Sequence, residues 1–279
     1  MDWRARLPRA FNEPVTSIED FCERIELINN DLIGAGVPSG ITPYYRGDRY
    51  CSRVQSNLFR KGYLPQESLR FSQWKDKWAR SGNELKANDF ENLVRMQHEN
   101  NDTRLLDFTT DPLVALRFAC GNIGDNCRKK VTVFATCDTV VSKDNEDYLE
   151  KCNAFISLVT QGSNSIDIPS QYKDIYGKDY FIEALQDFER IKRQRGLFLF
   201  MGNLMNNDMF SKSPNQYNHK VMHELSDEFG RGNEYSGFIG VLDISAECVP
   251  GIRRVLEQTA CYNIDYLLPN NKDRSATVL

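Results

Sequence analysis

Two segments of the sequence bring together residue types that can do chemistry. One is Tyr44-Tyr45-Arg46-Gly47-Asp48. The other runs from Met96 through Thr103-Arg104-Leu105-Leu106-Asp107-Phe108-Thr109-Thr110 to Cys120, and its 103–110 stretch sets an arginine, an aspartate and three threonines among apolar residues. Charges in surroundings that apolar are satisfied by partners or by a ligand, because an unpaired buried charge costs several kcal/mol or neutralises. The Arg46 guanidinium offers five donors in a planar fork that matches carboxylate or phosphate, and Gly47 after it lets a ligand approach the backbone closely. The alternative is that Arg46 pairs with Asp107 or another acid and ties two strands together. In the second segment, hydroxyls and acids stand just before Pro112, where a helix is expected to begin. Its exposed N–H groups and dipole favour an anion such as phosphate. The same residues can instead be caps: Thr109, Thr110 and Asp111 for the first-turn amides, with Asp107 paired to Arg104. Both alternatives stay open at this level.

His98 ends a predicted helix, where it can act across a site or cap the last carbonyls. His219 and His223 stand at i, i+4 with Glu224 beside them, but the HExxH order is absent and no third ligand is indicated, so no metal is expected. There is no GxGxxG, no GxxxxGK[ST] and no GxSxG, which removes the signatures of dinucleotide-fold dehydrogenases, P-loop NTPases and α/β-hydrolases. The basic run Arg190, Lys192, Arg193, Arg195 is interleaved with Asp187 and Glu189 and reads as a solvated turn rather than a nucleic-acid patch.

The elements that must position these residues follow from periodicity. Thr16-Ser17-Ile18-Glu19 has the form of a capping box, and Ile18, Phe21, Cys22, Ile25 and Ile28 recur behind it at helical spacing. Residues 41–45 predict a strand delivering Arg46 and ended by Gly47. Residues 66–80 and 89–98 predict helices, the second capped by Asn88 and Glu91. The helix at Pro112 is capped by Thr110 or Asp111 and stopped by Gly121. Beyond it the pattern predicts strands at 131–136 and 155–160 around an acidic helix, a helix at 178–188 and a basic turn entering an apolar strand at 197–200. A loop at 202–217, a helix at 219–229, a strand at 238–244, a helix at 252–261 and a last strand at 264–268 follow. Strands and helices do not alternate regularly, so the expected fold class is α+β: one domain over 1–279, a small mixed sheet flanked by helices, with a helical insertion at about 66–98.

With 279 residues, 41% apolar and 27% charged, the chain can bury a sizeable core and is unlike a disordered one. A formal net charge of −4 gives no overall drive towards nucleic acid or anionic membrane. The eight cysteines show no paired-ligand rhythm and read as reduced. No run approaches the ~18 apolar residues of a membrane span and no apolar leader is visible. No membrane partner and a cytoplasmic location are therefore expected.

Taken together, the segments resemble the FRG domain family, named for an aromatic-Arg-Gly signature present here as Tyr45-Arg46-Gly47. The likeness continues through Asn57-Leu58-Phe59-Arg60 and Met96-Gln97-His98. It is closest in Thr103-Arg104-Leu105-Leu106-Asp107-Phe108-Thr109, then Pro112-Leu113-Val114-Ala115-Leu116 and Phe118-Ala119. Arg190-Ile191, Gln194, Gly196 and Phe198 resemble a later element of the family, so the likeness is read over most of the chain. Glu99-Asn100-Asn101-Asp102 stands where the family has a shorter link between the His98 and Thr103 positions.

The order of these parts looks like the three-part site of ADP-ribosyltransferases. That resemblance implies a split sheet and NAD as substrate, with Arg46 holding its phosphate or ribose, Thr109 and Thr110 shaping the nicotinamide pocket and Gln194 binding ribose. A glutamine cannot serve as a general base, so that role falls to Asp107 or Glu189. The expected catalytic set is Arg46, Asp107 and Gln194, with Tyr45, Gly47, His98, Arg104, Thr109 and Thr110 binding the nucleotide. The implied function is an NAD-dependent ADP-ribosyltransferase or NAD glycohydrolase acting on an unknown protein or nucleic-acid acceptor, as in a bacterial or phage conflict effector. The rival expectation is a non-catalytic nucleotide- or protein-binding module.

Overall fold

The computed structural model describes residues 8–34, 43–49, 54, 56–99, 101–135, 140–161, 180–183, 189–201 and 238–269, apart from Asn12 and Ile123. Their strands are β1 (Pro43–Arg49), β2 (Leu105–Thr109), β3 (Lys129–Ala135), β4 (Val140–Val141), β5 (Tyr180–Ile182), β6 (Gly196–Phe200) and β7 (Phe238–Ile244). They form one seven-stranded sheet in the order β4-β5-β6-β2-β1-β3-β7. Six strands make an open antiparallel array, and β4 joins its edge parallel to β5. The fold is α+β.

The helices are α1 (Pro8–Phe11), α2 (Ile18–Gly34), α3 (Asn57–Arg60), α4 (Glu67–Arg80), α5 (Asp89–His98), α6 (Pro112–Cys120) and α7 (Tyr148–Gln161). After them come α8 (Glu189–Gln194), α9 (Val249–Gln258) and α10 (Ile264–Leu267). Side chains alternate along a strand, so the opposed pair Tyr45↔Thr109 fixes which residues share a face. On one face, α4, α5 and α7 pack over β5, β6 and β2 around Phe155, whose ring lies 4.4 Å from Phe200 and 5.6 Å from Tyr180. Full burial of such a ring contributes roughly 1.5–3 kcal/mol. On the same face, α2, α6 and α9 pack over β1, β3 and β7 around Phe21, Tyr45, Leu116 and Val133. The opposite face carries a third apolar cluster in which Phe108, Phe134 and Phe181 meet edge to face at 5.1–5.7 Å.

The sheet parts at its centre. β1 and β3 are paired from Pro43↔Ala135 to Arg49↔Lys129, and β2 and β6 from Leu105↔Phe200 to Thr109↔Gly196. Between β1 and β2 the register holds only at Tyr45↔Thr109. Beyond that pair the four residues after Tyr45 and the four before Thr109 run without a ladder.

Several sequence expectations are corrected. The strand expected at 41–45 is Pro43–Arg49, so Arg46 and Gly47 lie inside it. Residues 155–160 continue helix α7: Tyr148, Cys152, Phe155 and Val159 recur at helical spacing and face the core, which overrides the strand preference of the β-branched residues. Tyr180–Ile182 is a strand held between β4 and β6, not part of a helix. The expected basic turn is helix α8. The last strand is helix α10, started by Asn263, whose side chain accepts from Tyr266 N at 2.8 Å. At α2 the cap is one residue later than expected. Ser17 Oγ accepts from Asp20 N, and the Asp20 carboxylate accepts from Thr16 N. The expected loop at 202–217 and helix at 219–229, with His219 and His223, lie outside the described residues.

Candidate functional site

Arg46 lies at the parting of the sheet. Its Nε and Nη2 donate to Asp48 Oδ2 and Oδ1 at 2.9 and 3.0 Å, and its Nη1 donates to the Asp107 backbone carbonyl at 2.8 Å. Had the ladder continued two residues beyond Tyr45↔Thr109, Gly47 would have faced Asp107. The Arg46 side chain instead takes up that carbonyl, which satisfies a backbone acceptor that a parted sheet would orphan. Of the two readings left open for Arg46, the pairing one is observed, with Asp48 as the acid and Asp107 contributing its backbone.

Gly47 has a structural reason. A Cβ placed there would lie 1.8 Å from the Ala115 carbonyl oxygen and 2.6 Å from Ala119 N, so the backbone of α6 rests directly on β1. The close approach that glycine permits is used by a helix, with Ala115 and Ala119 one turn apart on it, and not by a ligand. Tyr45 lies under the same helix in the core. Burial first, and the nearby Asp111 carboxylate second, push its hydroxyl well above the usual tyrosine range.

Asp107 sends its side chain to the face opposite Arg46. Its carboxylate accepts from Gln97 Nε2 at 3.3 Å. Gln97 Oε1 accepts in turn from the Thr103 hydroxyl, whose oxygen accepts from Leu105 N at 3.1 Å. His98 packs edge-on against Phe198 with ring centroids 5.8 Å apart. Burial lowers its pKa to about 4, the Arg190 charge adds to the lowering, and the Asp107 charge opposes it. His98 and Asp107 thus lie near enough on this face for their charges to act on one another.

Thr109 and Gln194 meet, but through the backbone. Thr109 Oγ1 donates to the Gln194 carbonyl at 2.6 Å and accepts from Asp111 N at 2.9 Å. The Gln194 amide donates to Leu267 O at 3.0 Å. Thr110 is exposed, and its N–H donates to Arg195 O. At the start of α6, Asp111 Oδ1 accepts from Leu113 N and Val114 N, so the capping alternative holds for these first-turn amides. Asp111 Oδ2 accepts from the Tyr262 hydroxyl at 3.3 Å and lies 3.5 Å from Arg195 Nη1.

Arg104 does not pair with Asp107. Fully buried, it grips Glu67 of α4 with Nε at 2.8 Å and with Nη2, donates to Met201 O at 3.0 Å, and lies 5.0 Å from the Phe200 ring centroid. Burial raises the Glu67 pKa, and Arg104 pulls against that rise. Arg104 is a clamp between α4 and β2.

The register line Tyr45↔Thr109↔Gly196 thus sets Arg46, Thr109 and Gln194 at neighbouring positions on or next to three adjacent strands, while Arg46 and Thr109 present side chains to opposite faces. Two residues of this neighbourhood were missed from sequence. Asp48 was legible, since i+2 on a strand shares a face with Arg46. Thr132 was not, because only the register shows that it stands opposite Arg46 across the β1–β3 ladder. Among the described residues no group of His, Cys, Asp and Glu could hold a metal ion, no helix is long and apolar enough to cross a membrane, and the six described cysteines are free thiols.

Fold and site define an α+β protein whose antiparallel sheet parts around a buried arginine. Residues 42–127, less than a third of the chain, match the family model of the FRG domain, which supports that family for the segment carrying Arg46, Arg104 and Asp107. The match spans β1 to the turn before β3 and leaves out the later element at Arg190–Phe198. No curated protein and no solved structure matches the chain.

Proposed function

We propose that this protein binds a nucleotide at the parting of β1 and β2 and acts on NAD, as an ADP-ribosyltransferase or NAD glycohydrolase. The observation that carries the reading is the broken ladder itself: a central sheet that separates after one pair, with a buried arginine on the strand beside the break. This is the division expected of a split sheet of the ADP-ribosyltransferase kind. The adjacency of the arginine strand, the threonine strand and the strand that Gln194 precedes supports the same reading.

The donor set fits in part. Three of the five Arg46 N–H groups are engaged by Asp48 and Asp107, which leaves two for a ligand. Thr109 and Gln194 are engaged by the protein's own backbone, so their role here is to hold β2, α8 and α10 together behind the site. In such a reaction the nicotinamide–ribose bond breaks, nicotinamide leaves, and water or an acceptor side chain takes the ADP-ribosyl group. A carboxylate near the anomeric carbon stabilises the developing cation. Of the two sequence candidates, Asp107 turns its carboxylate to the face opposite Arg46 and Glu189 is held by Arg193 at 2.8 Å on the surface, so the carboxylate beside Arg46 is that of Asp48.

Purified protein incubated with NAD is expected to release nicotinamide, and Arg46→Ala to release none. The saturation of Thr109 and Gln194 favours, as a second reading, a module that binds nucleotide or protein without turnover. A rise in melting temperature with ADP-ribose but no nicotinamide release selects it. Absence of both responses ends the nucleotide reading. Acceptor class, protein or nucleic acid, and the conflict-effector role belong to the same proposal and follow from turnover only in the presence of a target.

A further inference from the structure

β7 is an edge strand with little of its own to keep it single. The sheet order leaves its outer side without a neighbouring strand, and its sequence Phe238-Ile239-Gly240-Val241-Leu242-Asp243-Ile244 holds one charge and no proline. Such a run, rich in apolar and β-branched residues, readily pairs with a copy of itself. Its one charge is occupied, because the Asp243 carboxylate accepts from Arg128 Nε at 2.6 Å and from Arg128 Nη2. The opposite edge needs no guard, since β4 has only two residues.

Residues 10–15 lie along β7. Val15, 0% exposed, bridges Ile244 in parallel: its N–H donates to Asp243 O at 2.6 Å, and its carbonyl accepts from Ser245 N at 3.0 Å and from Cys248 Sγ at 3.2 Å. The Phe11 ring covers Gly240, where a Cβ would come within 2.9 Å of three ring carbons. Arg24 of α2 holds the segment by its backbone, donating to the carbonyls of Ala10 at 3.2 Å, Glu13, and Pro14 at 3.4 Å. Backbone groups on one side of a strand recur every second residue, so the outer N–H and C=O of Val241 follow those of Asp243. They have no backbone partner among the described residues. A second β7 laid antiparallel, Val241 against Val241, would use them and would need the place that Val15 holds beside Ile244. We infer that residues 10–15 are an edge strap that blocks pairing of β7 with β7 of a second copy of this chain. The inference is independent of the nucleotide reading.

The test weakens the strap in the full chain and follows association by sedimentation velocity over a concentration series. Phe11→Ala with Arg24→Ala uncovers Gly240 and releases the three carbonyls. This variant is expected to self-associate at least about tenfold more tightly than wild type, the worth of one good hydrogen bond, since more than one is lost from the cover. Adding Val241→Lys, a charge that opposes strand addition at an edge, is expected to return it to wild-type behaviour. A weakened-strap variant that is folded by circular dichroism and associates no more than wild type overturns the inference. Association that Val241→Lys leaves unchanged also overturns it, because the contact then lies on another surface. If the double variant does not fold, the intact strap answers the question: wild type and Val241→Lys are each incubated just below their melting temperatures, where weakly held segments open first. Val241→Lys is expected to aggregate several-fold more slowly, and equal rates overturn the inference.

Discussion

Arg46 and Arg104 make the same set of bonds in two regions of one molecule. Each grips a carboxylate through Nε and Nη2 and gives Nη1 to a backbone carbonyl, Asp107 O for Arg46 and Met201 O for Arg104. The difference lies in where the acid comes from. Glu67 reaches Arg104 from a helix 37 residues away, with Phe59 and Phe200 beside the guanidinium, so that pair closes tertiary structure. Asp48 is two residues from Arg46 on the same strand, so the acid itself bridges no elements, and only Arg46 Nη1 reaches across the gap to β2. A like pattern of bonds therefore does not mean a like role: the carboxylate answering Arg46 is local to its strand, and the one answering Arg104 ties a helix to the sheet.

The largest expected effect separates the two arginines. Arg104→Ala, which strands Glu67 in the interior, is expected to lose about 3–5 kcal/mol in urea denaturation. Replacing both partners with apolar residues removes that penalty in either region. Arg104→Met with Glu67→Leu is expected to fold and keep its response to ADP-ribose, whereas Arg46→Met with Asp48→Leu is expected to fold and lose it. The comparison breaks if both double variants keep the response or both lose it.

Gly47→Ala is expected to cost about 3 kcal/mol or more by the same denaturation assay, since the new methyl would lie inside the backbone of α6 and strands do not yield without moving the helix. A near-neutral result would mean that α6 is not seated on β1, and the parting of the sheet would need another cause.

His98 gives a pH test on the Asp107 side of the sheet. Its folded pKa is lowered from 6.5 to about 4, so the unfolded chain binds the proton more readily. Its contribution to stability is complete above pH 6.5 and is lost as pH falls from there through 4. His98→Phe is expected to flatten that part of the stability curve. The lowered carboxylates of Asp20 and Asp125 act only as pH falls below their ordinary value near 3.8, whereas the raised Glu67 carboxyl acts in the opposite sense above its ordinary 4.5 and is common to both proteins, so the difference between wild type and variant isolates His98. An unchanged slope in the variant would remove His98 as the cause.

The smallest effect concerns the cap. Asp111→Ala is expected to cost about 1 kcal/mol from the lost bonds to Leu113 and Val114. An anion bound at those amides in wild type would show instead as gained phosphate affinity on substitution, which the capped geometry does not lead us to expect.

The sequence alone determined the α+β class, the helices at α4, α5 and α6 with the caps of α5 and α6, and the interior character of Arg46 and Arg104. Each of these rests on period, capping chemistry or composition within a few residues. It misread 155–160 and 264–268 because short apolar runs do not distinguish helix from strand until their neighbours are known. It also assigned Gly47 to a ligand, since sequence cannot say what approaches a glycine. Only the tertiary structure decided that α6 lies on Gly47, that Glu67 rather than Asp107 answers Arg104, and that Thr132 faces Arg46 across a ladder. These are contacts across long sequence separations, and register and packing, which set them, are properties of the assembled sheet and not of any one segment.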